Sequence, residues 1–149
     1  MPRIQVVTPL AAPPNEVFRA LVSAENWAAI IPRLLRAKVV EGGPLREGST
    51  LKLRVSRYGL DFDWILQMRE VVPDQTVRFQ QLVGFFDRWE HSLEIVRDED
   101  GRTLVKETVE YEMPLGLLGR VADDLVFRQD LYRILKDRQN QCLARWGNL

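Results

Sequence analysis

The chain holds one histidine, His91, and no other side chain in it has an ordinary pKa near neutral pH. Any general acid–base chemistry must therefore begin there. Further along lie Glu107, a carboxylate able to orient an imidazole, and Tyr111, whose hydroxyl can donate to a carbonyl or enolate oxygen. Such a set suits an aldol-type cyclisation or a dehydration. It equally suits a satisfied His91–Glu107 pair that steadies the fold, which is the simpler reading as far as catalysis goes. The same groups can also serve as polar anchors for a bound molecule.

Other chemistries lack their residues. A single cysteine, Cys142, allows no intrachain disulfide and reads as a small buried apolar residue, and a single histidine removes every His-pair zinc motif. The four serines and one histidine offer no convincing nucleophile–base pair. Asp98–Glu99–Asp100–Gly101 with Glu107 resembles a calcium loop only until Val96 falls on the first ligand position, so it reads as a hairpin turn. Asp61 and Asp63 alternate with Phe62 and Trp64 and are expected to face solvent. Gly116–Leu117–Leu118–Gly119 has no basic partner at the spacing a phosphate loop needs. No metal and no cofactor is expected.

The 21 basic and 21 acidic residues cancel, which disfavours sequence-independent nucleic-acid binding but leaves room for a local patch. The longest apolar run, Trp27–Ile31, is far short of a membrane span, and the opening Met1–Gln5 lacks a signal-peptide core. A cytoplasmic setting is expected. At 149 residues and 46% hydrophobic content, the chain is expected to form one domain over 1–149. Such a domain buries roughly 70% of its unfolded surface.

The elements that position these groups follow from periodicity. Arg3–Thr8 reads as a strand stopped by prolines, and Asn15–Val22 as a short helix with Glu16 in its first turn. Ser23 can cap a second short helix through Trp27–Ile31, ended by Pro32. A period of two then runs through Leu35–Glu41, Thr50–Arg57, Leu60–Val72, Thr76–Val83, Phe85–Arg97 and Thr103–Met113. The links between these runs are too short for parallel crossovers, so the sheet is antiparallel, with about seven strands. Beyond Pro114 the helical period returns. Leu118, Val121, Ala122, Leu125, Tyr132, Leu135, Cys142 and Trp146 share one broad stripe of a helix expected over 117–146. Only the sheet can cover so long a stripe, so the fold class is α+β: a curved antiparallel sheet gripping a long C-terminal helix, with two short helices after the first strand.

Alternation then assigns faces. Inward go Leu51, Leu53 and Val55; Phe62, Trp64, Leu66 and Met68; Val77, Phe79, Gln81 and Val83; Asp87, Trp89, His91, Leu93 and Ile95; Val105, Glu107, Val109, Tyr111 and Met113. Pairing about the Asp98–Gly101 turn sets His91 opposite Val109 and diagonal to Glu107. The polar interruptions Gln81, Asp87, His91 and Glu107 must either satisfy one another or line a hollow with a guest's polar end, because an unpartnered buried polar group costs about 2–7 kcal/mol.

Ala12–Pro13–Pro14–Asn15–Glu16–Val17–Phe18, Trp27 with Ile31–Pro32, and Gly48 resemble the N-terminal half of START-like, helix-grip proteins, in particular the bacterial polyketide cyclase/dehydrase and coenzyme Q-binding branch. Trp89–Glu90–His91, Thr103–Leu104–Val105, Val109–Glu110–Tyr111, Pro114–Leu115–Gly116 and Gly119 are similar to that branch as well, so the likeness spans nearly the whole chain. The resemblance implies a deep cavity between sheet and C-terminal helix that takes a hydrophobic ligand. The expected lining is Trp64, Phe79, Gln81, Trp89, His91, Glu107, Val109 and Tyr111 from the sheet, with Leu125 from the helix. The foremost expectation is a carrier for a lipid, isoprenoid or aromatic polyketide. A cyclase or dehydratase with His91 as acid–base is the second, and a macromolecular interaction module whose outer surface binds a protein or ribosomal partner is the third.

Overall fold

The computed structural model describes residues 3–22, 37–41, 46–57 and 60–114, together with 128, 129, 131–133, 135, 136, 139 and 140. Among them are strands β1 (Arg3–Leu10), β2 (Ala37–Glu41), β3 (Thr50–Arg57), β4 (Leu60–Val72), β5 (Thr76–Val83), β6 (Arg88–Arg97) and β7 (Thr103–Glu112). They form one sheet in the order β1-β7-β6-β5-β4-β3-β2, antiparallel at every step. Strands β2 to β7 meander, each pairing with the next, while β1 returns to pair with β7 and forms the far edge. This is a helix-grip-like architecture.

Between β1 and β2 lies helix α1 (Pro14–Leu21). Pro14 starts it at no cost, since the first turn needs no N–H there, and Pro13 O accepts from the N–H groups of Glu16 and Val17 at 3.1 and 3.2 Å. Val17, Ala20 and Leu21 are its buried side, turned toward β6. Thr103 Oγ1 donates to Ala12 O at 2.6 Å in the interior, tying the entry to α1 onto the first residue of β7. The second short helix, expected through Trp27–Ile31, lies outside the described residues.

Apolar alternation builds the inner face as expected over most of its length. Leu51, Leu53, Val55, Leu66, Val77 and Val109 are each at most 2% exposed. At the Asp98–Gly101 turn the Asp98 carboxylate accepts from the backbone N–H groups of Asp100 and Arg102 at 3.0 and 2.8 Å, and Gly101 takes φ +80°. That carboxylate closes a hairpin.

Alternation misplaces two residues. Val83, expected inward, is 52% exposed. Two residues of β5 face one step of β4 there, because Leu66 pairs with Gln81 while Ile65 pairs with Val83, and this bulge turns the strand end over. Asp87 is also exposed rather than inward, since residues 84–87 form a bend and β6 begins only at Arg88. Its N–H donates to Glu112 O at 3.0 Å, closing the strand pair instead of extending it.

Toward the C-terminus every described residue from 128 to 140 is helical; the rest of the span expected as a helix over 117–146, Leu125 included, lies outside the described residues. Leu131 and Leu135, one turn apart, are the buried pair. Tyr132, placed on the apolar stripe by periodicity, is 48% exposed, with the Lys136 ammonium 5.7 Å from its ring centre. Leu135 is buried as expected, while Leu131 rather than Tyr132 takes the inward place one turn before it.

Candidate functional site

The inner face at the centre of the sheet carries the polar pair singled out in the sequence. His91 on β6 sits opposite Val109 on β7, and Glu107 sits opposite the next inward residue, Leu93. His91 Nε2 and Glu107 Oε1 are 2.6 Å apart, with the two residues 5% and 7% exposed. A short contact between buried groups of this kind is a strong hydrogen bond. An ionised carboxylate only accepts, so with Glu107 ionised it holds the hydrogen on His91 Nε2 and fixes the imidazole's tautomer and orientation.

Aromatic rings surround the pair. Phe79 pairs with His91 across β5 and β6, ring centres 4.5 Å apart. Trp89 lies 6.1 Å from His91, and meets Trp64 edge-on at 5.0 Å and 78°. Tyr111, opposite Trp89 and fully buried, stands 6.3 Å from it. Trp89 Nε1 is buried with no hydrogen-bond partner among the described residues. Of the residues expected to line a hollow, the structure therefore brings Trp64, Phe79, Trp89, His91, Glu107, Val109 and Tyr111 onto one buried face.

Gln81 is half-buried and its amide is engaged locally. Oε1 accepts from Trp64 Nε1 at 3.0 Å and from Phe86 N at 3.4 Å, while Nε2 donates to Phe86 O at 2.7 Å. One side chain thus pins the β5–β6 bend to an inner tryptophan. Phe86 completes the aromatic cluster, 4.8 Å from Trp89 and 6.0 Å from Tyr111. Sequence reasoning missed Phe86 because it continued the two-residue period through 85–87. The usable signal was Gly84, a residue that ends a strand, directly before two phenylalanines.

Gly84 is there for space. A methyl group on it would lie 2.5 Å from Trp64 Cδ1 and closer still to Gln81 Oε1. Gly84→Ala is expected to cost about 1–3 kcal/mol in urea unfolding, as overpacking does. A change within experimental error would show that the Gln81 bracket is not held tightly.

The opposite face is charged and paired. Arg54 Nη1 bonds Asp63 Oδ1 at 3.0 Å, and Arg88 Nη2 bonds Glu90 Oε1 at 2.8 Å. That hydrogen bond, with the charge of Glu90, raises the pKa of the exposed Arg88 guanidinium. Among the described residues no three His, Cys, Asp or Glu side chains gather as a metal site, and no helix is long and apolar enough to cross a membrane.

Comparison with known proteins places this site in context. No curated protein matches the chain in sequence. Solved structures share its fold. A protein of Thermus thermophilus is 23% identical with a TM-score of 0.70, covering 97% of this chain and 99% of its own. The Zhui aromatase/cyclase from a Streptomyces species superposes with a TM-score of 0.71 at 15% identity, over 97% and 94% of the two chains. The major latex-like protein 151 of Panax ginseng gives 0.66 at 15% identity, over 95% and 97%. The description of one family, polyketide cyclase / dehydrase and lipid transport, matches residues 10–137, which contain the His91–Glu107 pair and its aromatic surround. The chain belongs to the polyketide cyclase/dehydrase and lipid transport family.

Proposed function

We propose that this protein is a carrier that holds a hydrophobic small molecule, a lipid, isoprenoid or aromatic polyketide, between the inner sheet face and a long C-terminal helix over 117–146. In this reading residues 1–149 act as one domain, and Leu125 closes the lining from the helix side. The observation that carries the proposal is the composition of the inner face: an aromatic wall interrupted by one hydrogen-bonded polar pair, His91–Glu107. Apolar walls with a few polar groups are the usual form of a small-molecule site. Removing a few hundred Å² of ligand surface from water at about 25 cal/mol per Å² supplies several kcal/mol before ordering costs. The family's description includes lipid transport, which fits this energetics.

A cyclase or dehydratase is the second reading, favoured by one observation. Glu107 at 2.6 Å from His91 Nε2 would orient the imidazole as an acid–base group among the aromatic rings of the inner face. One of the structural neighbours is an aromatase/cyclase.

Titration of the protein with a fluorescent fatty-acid analogue, in parallel with His91→Gln, separates these readings. The glutamine amide can still donate to Glu107 but cannot titrate near neutral pH. The carrier reading expects saturable one-to-one binding that survives the substitution, while the enzyme reading expects turnover of a polyketide-type substrate that the substitution abolishes. Absence of saturable binding in the unaltered protein contradicts the carrier.

A further inference from the structure

The edge of the sheet next to the C-terminal helical residues carries a feature that the inner site does not use. A trough of about 510 Å³ lies there, lined by Arg3, Ile4 and Gln5 of β1 and by Arg128, Gln129, Tyr132 and Arg133. Its described lining contains three arginines and no carboxylate. The depression on the outer sheet face is the contrasting case: it holds about 250 Å³, and its arginines stand beside Glu70, Glu90 and Glu110, with Arg78 Nη1 3.5 Å from Glu70 Oε2. Among the described residues only Arg3 of the trough has an acidic neighbour, Glu110 at 3.8 Å, in a pair exposed on both sides. Arg128 and Arg133 make no ion pair among the described residues.

The open backbone edge of β1 lies beside these arginines. Gln139 Nε2 donates to Val7 O at 2.7 Å, so the Val7 carbonyl points off the sheet rather than toward β7. In an antiparallel ladder alternate residues point the same way, which turns both the N–H and the C=O groups of Gln5 and Arg3 toward this free edge. The guanidinium forks suit an oxyanion, and the exposed Tyr132 ring beside the buried Ile4 suits a flat or apolar body attached to it. The chain as a whole has 21 bases and 21 acids, so any anion affinity here is local rather than a consequence of net charge.

We infer that this trough is a second binding site, separate from the inner face, for a phosphate monoester group carried on an aromatic or apolar body. The ester can be a free small molecule or the headgroup of an anionic lipid, and the recognising chemistry is the same.

Phenyl phosphate followed by calorimetry, and phosphatidylcholine vesicles with and without phosphatidic acid followed by co-sedimentation, distinguish those two sources. One of the two probes should bind saturably, and Arg128→Ala/Arg133→Ala should weaken it about tenfold or more, since it removes both exposed guanidinium forks at once. Both side chains are exposed, so the double variant should fold, and circular dichroism checks that it does. It should keep full affinity for the fluorescent fatty-acid analogue, so failure of the trough and failure of the carrier reading are told apart. Saturable binding of neither probe, or equal binding by the double variant, overturns the inference. A glutamate-rich peptide bound more tightly than both probes also overturns it, in favour of a protein-docking edge.

Discussion

Trp89→Ala is expected to destabilise the fold by about 3–5 kcal/mol in urea unfolding, the range for emptying a large aromatic from a packed interior. Trp89 is 5% exposed and touches the rings of Trp64, Phe86 and Tyr111, so truncation removes contacts on several sides that no single neighbour can refill. Trp89→Phe is the informative companion. It keeps most of the ring and deletes the Nε1 donor that finds no partner among the described residues, so its cost should be well below that of alanine. A loss under about 1 kcal/mol for alanine would mean that the ring is not part of the core.

The second large effect concerns the pair at the centre of the sheet. Glu107→Leu is expected to cost about 3–5 kcal/mol, the range for leaving one member of a buried polar pair without the other. His91→Phe/Glu107→Leu should cost clearly less than the sum of the two single changes, because neither member of the pair then remains without the other. Urea unfolding of the four proteins in the cycle gives the coupling directly. Strict additivity would show that the 2.6 Å contact contributes nothing to holding β6 against β7.

Much of the sheet was legible because side chains in strands alternate and hairpin turns fix register. The bounds of β3, β4 and β5 agree with the runs read from periodicity, and the predicted placement of His91 opposite Val109, with Glu107 diagonal to it, is the observed one. The His91–Glu107 contact followed from that register. Where the reading failed, a local break in the ladder was responsible. Val83 turned outward at a bulge, and Asp87 fell in a bend, neither of which leaves a mark in a hydrophobic pattern. Phe86 entered the aromatic cluster through a loop, where period-two arithmetic does not apply. Gln81 looked like a free polar anchor because its partners, Trp64 Nε1 and the Phe86 backbone, are set by that loop rather than by strand pairing. Tyr132 shows the corresponding weakness in helices. Residue type alone set Tyr132 inward, where the neighbouring Leu131 takes that place, while Leu135 is buried as expected. The arginine trough was invisible because it joins the first strand to residues more than a hundred positions later.

The most direct test of a carrier is what the protein holds when it leaves the cell. Native mass spectrometry of gently purified protein should show a mass above that of the bare chain, lost on extraction with organic solvent and recovered in the extract as an apolar molecule. A preparation that is homogeneous at the mass of the bare chain, and that takes up none of the cell's extracted apolar molecules when they are added back, would contradict the account.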